Sequence, residues 1–323
     1  MEALRLPVIL DEIQNAPELM NYVRARIDAA PRKKGQWLLT GSQEASLMQG
    51  VTESMAGRAA ILHLLPVSTL ESSKVNVIRG GYPGVLARPS AADIWFRSYV
   101  QTYLERDIRA VTAIRDLSTF RRFLAILASR VGGMLNRTDL AAPLGVSVPT
   151  ISEWLNALEV TGQILLIPPY FENFGKRLVK TPKIYFVDSG LACHLLGIDR
   201  NSALQKSPFR GALFEGFVAS EIAKQQVNRG GRVELYYFRD QQGLEVDFVV
   251  PIKSQKLALI EAKATRTPTP GMAVSLRRLS EAVKGHATTS MLVHSGSADV
   301  VAGAALVPGV TALTLGELLD KLA

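Results

Sequence analysis

Residues 6–12 read Leu-Pro-Val-Ile-Leu-Asp-Glu, a short apolar run that stops on two carboxylates. An apolar run without alternation suits a parallel strand buried on both faces. Open α/β sheets place their ligands at the carboxyl ends of such strands, where Asp11 and Glu12 would project. Residues 37–42, Trp-Leu-Leu-Thr-Gly-Ser, repeat the design with hydroxyl groups in place of acids. Between the two runs, Leu19, Val23 and Ile27 recur at helical spacing, with Asn15 as the expected cap and Pro17 in the first turn. The chain therefore opens as an α/β unit with polar groups aimed at one edge.

Bulk properties widen the view. A length of 323 residues predicts two or three domains, and 47% hydrophobic with 20% charged residues is the composition of a folded chain throughout. A single cysteine, Cys193, excludes a disulfide framework and a Cys-rich zinc site, and a reducing, cytoplasmic setting is expected. The first apolar run is cut off by Asp11 and Glu12, and no later run approaches the ~20 apolar residues of a membrane span, so no membrane partner is expected. A net charge of +8 makes a polyanion partner plausible. His63, His194, His286 and His294 have no metal-ligand spacing, and neither a nucleophile elbow nor a Gly-x-Gly-x-x-Gly fingerprint occurs.

The middle of the chain changes pattern. Phe120, Phe123, Leu124, Leu127 and Val131 form an apolar stripe that ends at Gly132-Gly133. A short helix over 138–144, a turn at Gly145-Val146-Ser147 and a helix over 148–161 give a helix-turn-helix layout. Strands at 164–167 and 184–186, joined by a loop carrying Lys176, Arg177 and Lys180, would form a wing. On the last helix Thr150 and Asn156 face outward and are candidates to read bases, with Arg177 and Lys180 as phosphate contacts. Residues 118–183 hold eight Lys and Arg against four Asp and Glu, which favours phosphate contact. The helix itself carries Glu153 and Glu159 and no basic residue, so packing against another subunit fits the same pattern.

Towards the C-terminus, Glu215 falls on a predicted helix, Asp247 on a strand, and Glu261-Ala262-Lys263 on the next strand. Alternation puts Asp247, Glu261 and Lys263 on common faces. Two acids on adjacent strands can hold Mg²⁺, a helix acid completes the set, and a lysine beside them can activate water against a phosphodiester. A plain cross-strand salt bridge is the competing reading.

Asp11 and Glu12 also have a chemical reading: the first acid holds Mg²⁺ through water and the second polarises the attacking water. Ser42 or Thr40 would sense the γ-phosphate, and Arg58, after Gly57, would reach a neighbouring copy as an arginine finger, which implies self-association. Pro7 to Leu19, Trp37 to Gln43, Ala56-Gly57-Arg58, Leu65 to Ser68, Gly80 to Pro83, Tyr103 to Asp107, Lys180 to Phe186 and Gly190-Leu191 together resemble a prokaryotic family of AAA-type ATPases. The resemblance runs to about Lys263. It implies ATP and Mg²⁺ as cofactors, and a C-terminal part with a winged helix and a PD-(D/E)xK nuclease-like fold.

One departure matters. Members of that family carry a Gly-x-x-x-x-Gly-Lys-Ser/Thr loop several dozen residues before the Asp-Glu strand, and no such sequence occurs in these 323 residues. The stretch from Glu71 to Gly80 is also short. Without the loop that cradles the phosphates, no ATP hydrolysis by the chain alone is expected; degeneration and a misplaced start codon are both open explanations. The expected organisation is a partial P-loop ATPase domain over 1–90, a helical linker and winged helix-turn-helix over 91–190, and a restriction-endonuclease-like α/β domain over 191–323. The expected function is a nucleic-acid-associated AAA-type protein, with a Mg²⁺-dependent nuclease or a catalytically silent DNA-binding module as alternatives.

Overall fold

The computed structural model describes residues 4–41, 55–104, 116–170, 180–252, 255–283, 285–296 and 305–323. Ser42, Arg177 and the segment Glu105-Arg106-Asp107 lie outside these described residues.

Strand β1 (Val8–Leu10) pairs in parallel with β2 (Trp37–Leu39), and helix α1 (Leu19–Ala29) connects them. Leu10, Trp37 and Leu39 pack with Met20 and Val23 of α1 in a small core. The strands are not buried on both faces as expected. Their cross-strand pair Ile9 and Leu38 is 66% and 53% exposed, because a two-stranded sheet with its helix on one side covers only that side. Asn15 does not cap α1 either: it ends a 3-10 turn, Ile13–Asn15, and the helix starts after Glu18 with no side-chain cap.

Helices α2 (Pro83–Ala87) and α3 (Ala92–Ser98) follow. The segment before them is fastened to the distant C-terminal part. Thr69 donates from its backbone N and its Oγ1 to Glu221 Oε2, both at 2.6 Å, and Lys224 Nζ lies 2.9 Å from Glu221 Oε1 and 3.4 Å from the Val67 carbonyl. Gly81 N donates to the buried Asp188 Oδ2 at 2.7 Å. Gly80 sits at φ +64°, and a Cβ there would lie 2.0 Å from Asp188 Oδ1, so only glycine fits.

The middle part holds α4 (Leu117–Ala128), α5 (Arg137–Ala141) and α6 (Val148–Val160), capped by Asp116, Asn136 and Ser147 respectively. Phe120 and Phe123 meet Trp154 of α6 at ring separations of 5.3 and 5.1 Å, which locks α4 onto α6. An antiparallel hairpin, β3 (Ile164–Ile167) and β4 (Lys183–Phe186), follows, and Met134 bridges to Lys183 on its outer edge.

After α7 (Ser189–Leu195) and α8 (Asn201–Lys206) comes the long α9 (Arg210–Asn228), laid against a six-stranded mixed sheet. Its strands are β5 (Tyr236–Arg239), β6 (Glu245–Ile252), β7 (Lys256–Lys263), β8 (Ala287–His294), β9 (Ala305–Val307) and β10 (Val310–Leu313), in the order β5-β6-β7-β8-β10-β9. The strands β5, β6 and β7 are antiparallel, whereas β7, β8 and β10 run parallel. Helix α10 (Val274–Ala282) crosses from β7 to β8, and α11 (Leu315–Leu322) closes the chain behind a Thr314–Glu317 capping box. One core joins this sheet to the middle helices: Phe120, Trp154, Tyr185, Phe214, Phe248 and Ile260 belong to a single buried cluster that runs across residue 190.

Candidate functional site

The sheet brings the C-terminal candidates together. One step beyond the Phe248–Ile260 pair, the register sets Asp247 opposite Glu261, and Asp247 Oδ2 accepts from Ala262 N at 2.9 Å. Both carboxylates are buried because β6 and β7 lie inside the sheet with helices on both sides, α9 against β7 and α10 against β6 and β7. Lys263, two residues on and therefore on the same face, places Nζ 2.6 Å from Glu261 Oε1 and remains partly exposed. Glu215 enters from α9. The next residue, Gly216, has no side chain, so the Tyr185 ring of β4 packs against the helix and its hydroxyl donates to Glu215 Oε1.

A second lysine lies at the centre. Lys183 of β4 places Nζ 2.6 Å from Glu245 Oε1, 2.9 Å from Glu215 Oε1 and 3.7 Å from Asp247 Oδ1, with its side chain only 4% exposed. Its ammonium also lies 5.6 Å from the centre of the Tyr237 ring. Arg239 pairs with the other oxygen of Glu245 at 3.1 Å. Lys183 thus does not belong with the phosphate-contacting charges of the middle part, where the charge count had put it; it is spent on buried carboxylates.

Burial sets the ionisation of the cluster. Desolvation, reinforced by Asp247, raises Glu261 to about 8 and Glu215 to about 7. Desolvation also raises Asp247, opposed by Lys183 and Lys263. Burial pulls Lys183 and Lys263 down, but the surrounding carboxylates outweigh it, and both lysines are held charged above their ordinary value. Glu261 Oε2 is buried with no hydrogen-bond partner among the described residues. Among the described residues no three His, Cys, Asp or Glu side chains form a group that could hold a metal ion as it stands. The acids are arrayed about an ammonium instead.

The other candidates fare differently. Asp11 and Glu12 sit at the carboxyl end of β1, where Thr40 at the end of β2 donates to Asp11 Oδ1 and Gln14 to Glu12 Oε2. Arg58 forms a two-point ion pair with Asp28 of α1, at 2.6 and 3.1 Å, and so is engaged within its own chain. The Thr150 hydroxyl lies 2.9 Å from Ser147 Oγ, inside the cap of α6, whereas Asn156 and Lys180 are exposed. Sequence reasoning overlooked Lys183 and Tyr185, although their i, i+2 spacing in Lys-Ile-Tyr-Phe is the signal that both leave the same face of one strand.

A cleft of about 1380 Å³ opens between the segment 76–96, helices α7 to α9 and the end of β7, and Arg79, Arg200, Arg210 and Arg266 line it together with Asp93 and Asp199. Arg210 donates to the carbonyl of Ala264, next to Lys263. No helix among the described residues is long and apolar enough to cross a membrane.

Comparison with known families fits this layout. Residues 2–73 match the AAA domain, residues 71–202 match a domain of unknown function (DUF8612), and residues 210–316 match a second domain of unknown function (DUF4143). The first part of the chain is thus similar to an AAA domain, and the rest to two domains of unknown function. It is 33% identical over 276 residues to Uncharacterized protein Rv2008c of Mycobacterium tuberculosis and to Uncharacterized protein Mb2031c of Mycobacterium bovis, a match covering 84% of this chain and 61% of each relative. The chain spans about three fifths (61%) of the length of these relatives.

Proposed function

We propose that the chain joins an AAA-type segment, through a winged helix, to a restriction-endonuclease-like domain that acts on nucleic acid, and that these 323 residues do not hydrolyse ATP by themselves. The winged-helix reading rests on the order α4, Met134 bridge, α5, α6, then the β3–β4 hairpin. The nuclease-like reading rests on the order α9, β5–β7, α10, β8 with acids on α9, β6 and β7. The observation that carries the proposal is the meeting of Glu215, Asp247, Glu261 and Lys263 at one buried place in that sheet.

A hard cation fits the donor set. The carboxylates are the oxygen ligands Mg²⁺ takes, and Glu261 Oε2 is a buried acceptor with no hydrogen-bond partner among the described residues. Asp247 and Glu261 would hold the ion and Glu215 would complete its shell, and a bound ion supplies Lewis-acid polarisation of a phosphodiester. Lys263, charged and partly exposed, orients water beside the acids. The arginine-lined cleft gives a polyanion a path to that edge. A second reading, a nucleic-acid platform that does not cut, is favoured by the Lys183 ammonium that already satisfies Glu215 and Glu245.

The test is Mg²⁺-dependent cutting of a mixed DNA substrate by the full chain, beside its Asp247→Asn and Lys263→Ala variants. Cutting that both substitutions abolish supports the nuclease reading. Salt-sensitive binding without turnover supports the platform, and the absence of any DNA binding overturns both.

A further inference from the structure

The acid cluster is crossed by a residue from outside its own sheet. Glu215, Glu245, Asp247 and Glu261 belong to α9, β6 and β7, but the cation that sits among the first three, Lys183, comes from the second strand of the preceding hairpin. Building on the metal-site reading above, we infer that Lys183 is an internal plug: its ammonium and a divalent cation are alternative occupants of one site, and the ion enters only when the hairpin strand withdraws its lysine.

The geometry carries this. The Lys183 ammonium touches two carboxylates at 2.6 and 2.9 Å and faces a third at 3.7 Å. A Mg²⁺ or Mn²⁺ ion held at about 2.1 Å by Glu215 and Asp247 would stand within a few ångströms of the Lys183 ammonium, and two cations that close in a site shut off from water repel each other strongly. The site is closed to solvent around Lys183, whose side chain is 4% exposed. Glu261 points the other way in its pairing. One of its oxygens meets Lys263 at 2.6 Å, and the other is buried and unpartnered, an acceptor left over when the remaining acids close around Lys183.

Strand β4 is itself held on its outer edge by the segment that follows α4, through Leu135 N to the Pro182 carbonyl at 2.9 Å and Gly132 N to the Ile184 carbonyl at 2.8 Å. What moves the hairpin therefore moves the plug. A site whose open form is a minority binds its ion more weakly by that fraction.

The experiment titrates Mn²⁺ alone into the full chain and its Lys183→Met variant, following free Mn²⁺ by electron paramagnetic resonance. The variant is expected to bind one Mn²⁺ about tenfold or more tightly than the parent, and the further change Asp247→Asn should abolish the gain. Because Lys183→Met unpairs buried acids and can fail to fold, a second measurement uses the parent chain: acetylation of lysines read by mass spectrometry. Lys183 should be protected without metal and become reactive at saturating Mn²⁺, while exposed Lys180 stays reactive throughout. Equal Mn²⁺ affinity in both proteins, or Mn²⁺ bound to the parent with Lys183 still protected, overturns the plug and leaves the metal site standing. No Mn²⁺ binding by either protein overturns both.

Discussion

At the end of β1, Asp11 is exposed and Glu12 half-buried, and the neutral side chains of Thr40 and Gln14 are among their partners. At the ends of β6 and β7, Asp247 and Glu261 are buried and answer to two lysines. Each pair borders apolar runs near strand ends: Asp11, Glu12 and Glu261 follow one, and Asp247 precedes one near the start of β6. What separates them is the number of neighbours: a two-stranded sheet with one helix leaves its strand ends in water, whereas strands inside a six-stranded sheet beneath a 19-residue helix are sealed. Sealing is what raises carboxylate affinity for protons, and it makes cation identity decisive.

The sharpest way to break the comparison is to remove a cation from each region. Lys183→Ala strands Glu215 in the interior beside Asp247 and should cost about 3–5 kcal/mol in urea unfolding, whereas Glu245 keeps Arg239. Arg58→Ala, which breaks an exposed pair with Asp28, should leave the urea midpoint unchanged. Next in size is Gly80→Ala. The left-handed backbone at φ +64° and the 2.0 Å approach to Asp188 Oδ1 should together cost about 3 kcal/mol, read as a fall in melting temperature.

A pH series sharpens the contrast. Glu261 rises from 4.5 to about 8 on folding, so the folded state holds its proton more tightly than the unfolded chain does. Its stabilising contribution is complete below about pH 4.5 and is lost as pH climbs through about 8. The parent chain should therefore lose melting temperature between about pH 5 and 8.5, and Glu261→Gln should flatten that slope. A similarly small effect is expected of Asp11→Asn, within about 0.5 kcal/mol by calorimetry. A larger loss would mean the two strand ends are less different than their exposure says.

Much of the C-terminal arrangement was legible in the sequence. Alternation along residues 245–263 is enough to put Asp247, Glu261 and Lys263 on one face, and the helix-strand-strand order brings Glu215 to them. The plug was not legible from local pattern. Lys183 stands 32 residues before Glu215 and belongs to a different sheet, and only the shared core that presses Tyr185 against α9 brings the two together. The N-terminal strands misled for the opposite reason. Three apolar residues in a row announce burial on both sides, but Ile9 and Leu38 have cover on neither neighbour nor helix among the described residues. Strands β9 and β10, of three and four residues, are too short to show any period at all.

The double hydrogen bond from Thr69 to Glu221 has a thermodynamic corollary. Glu221 lies six residues along the same helix from Glu215, about 9 Å at 1.5 Å per residue, and Thr69 lies within the stretch that matches the AAA domain. A rigid rod gripped at two points obeys reciprocity: if charge at one grip alters the hold at the other by some factor, tension at the second must alter affinity at the first by the same factor. On the proposed site at Glu215, Thr69→Val, which deletes one of the two donors, would then serve as a remote handle.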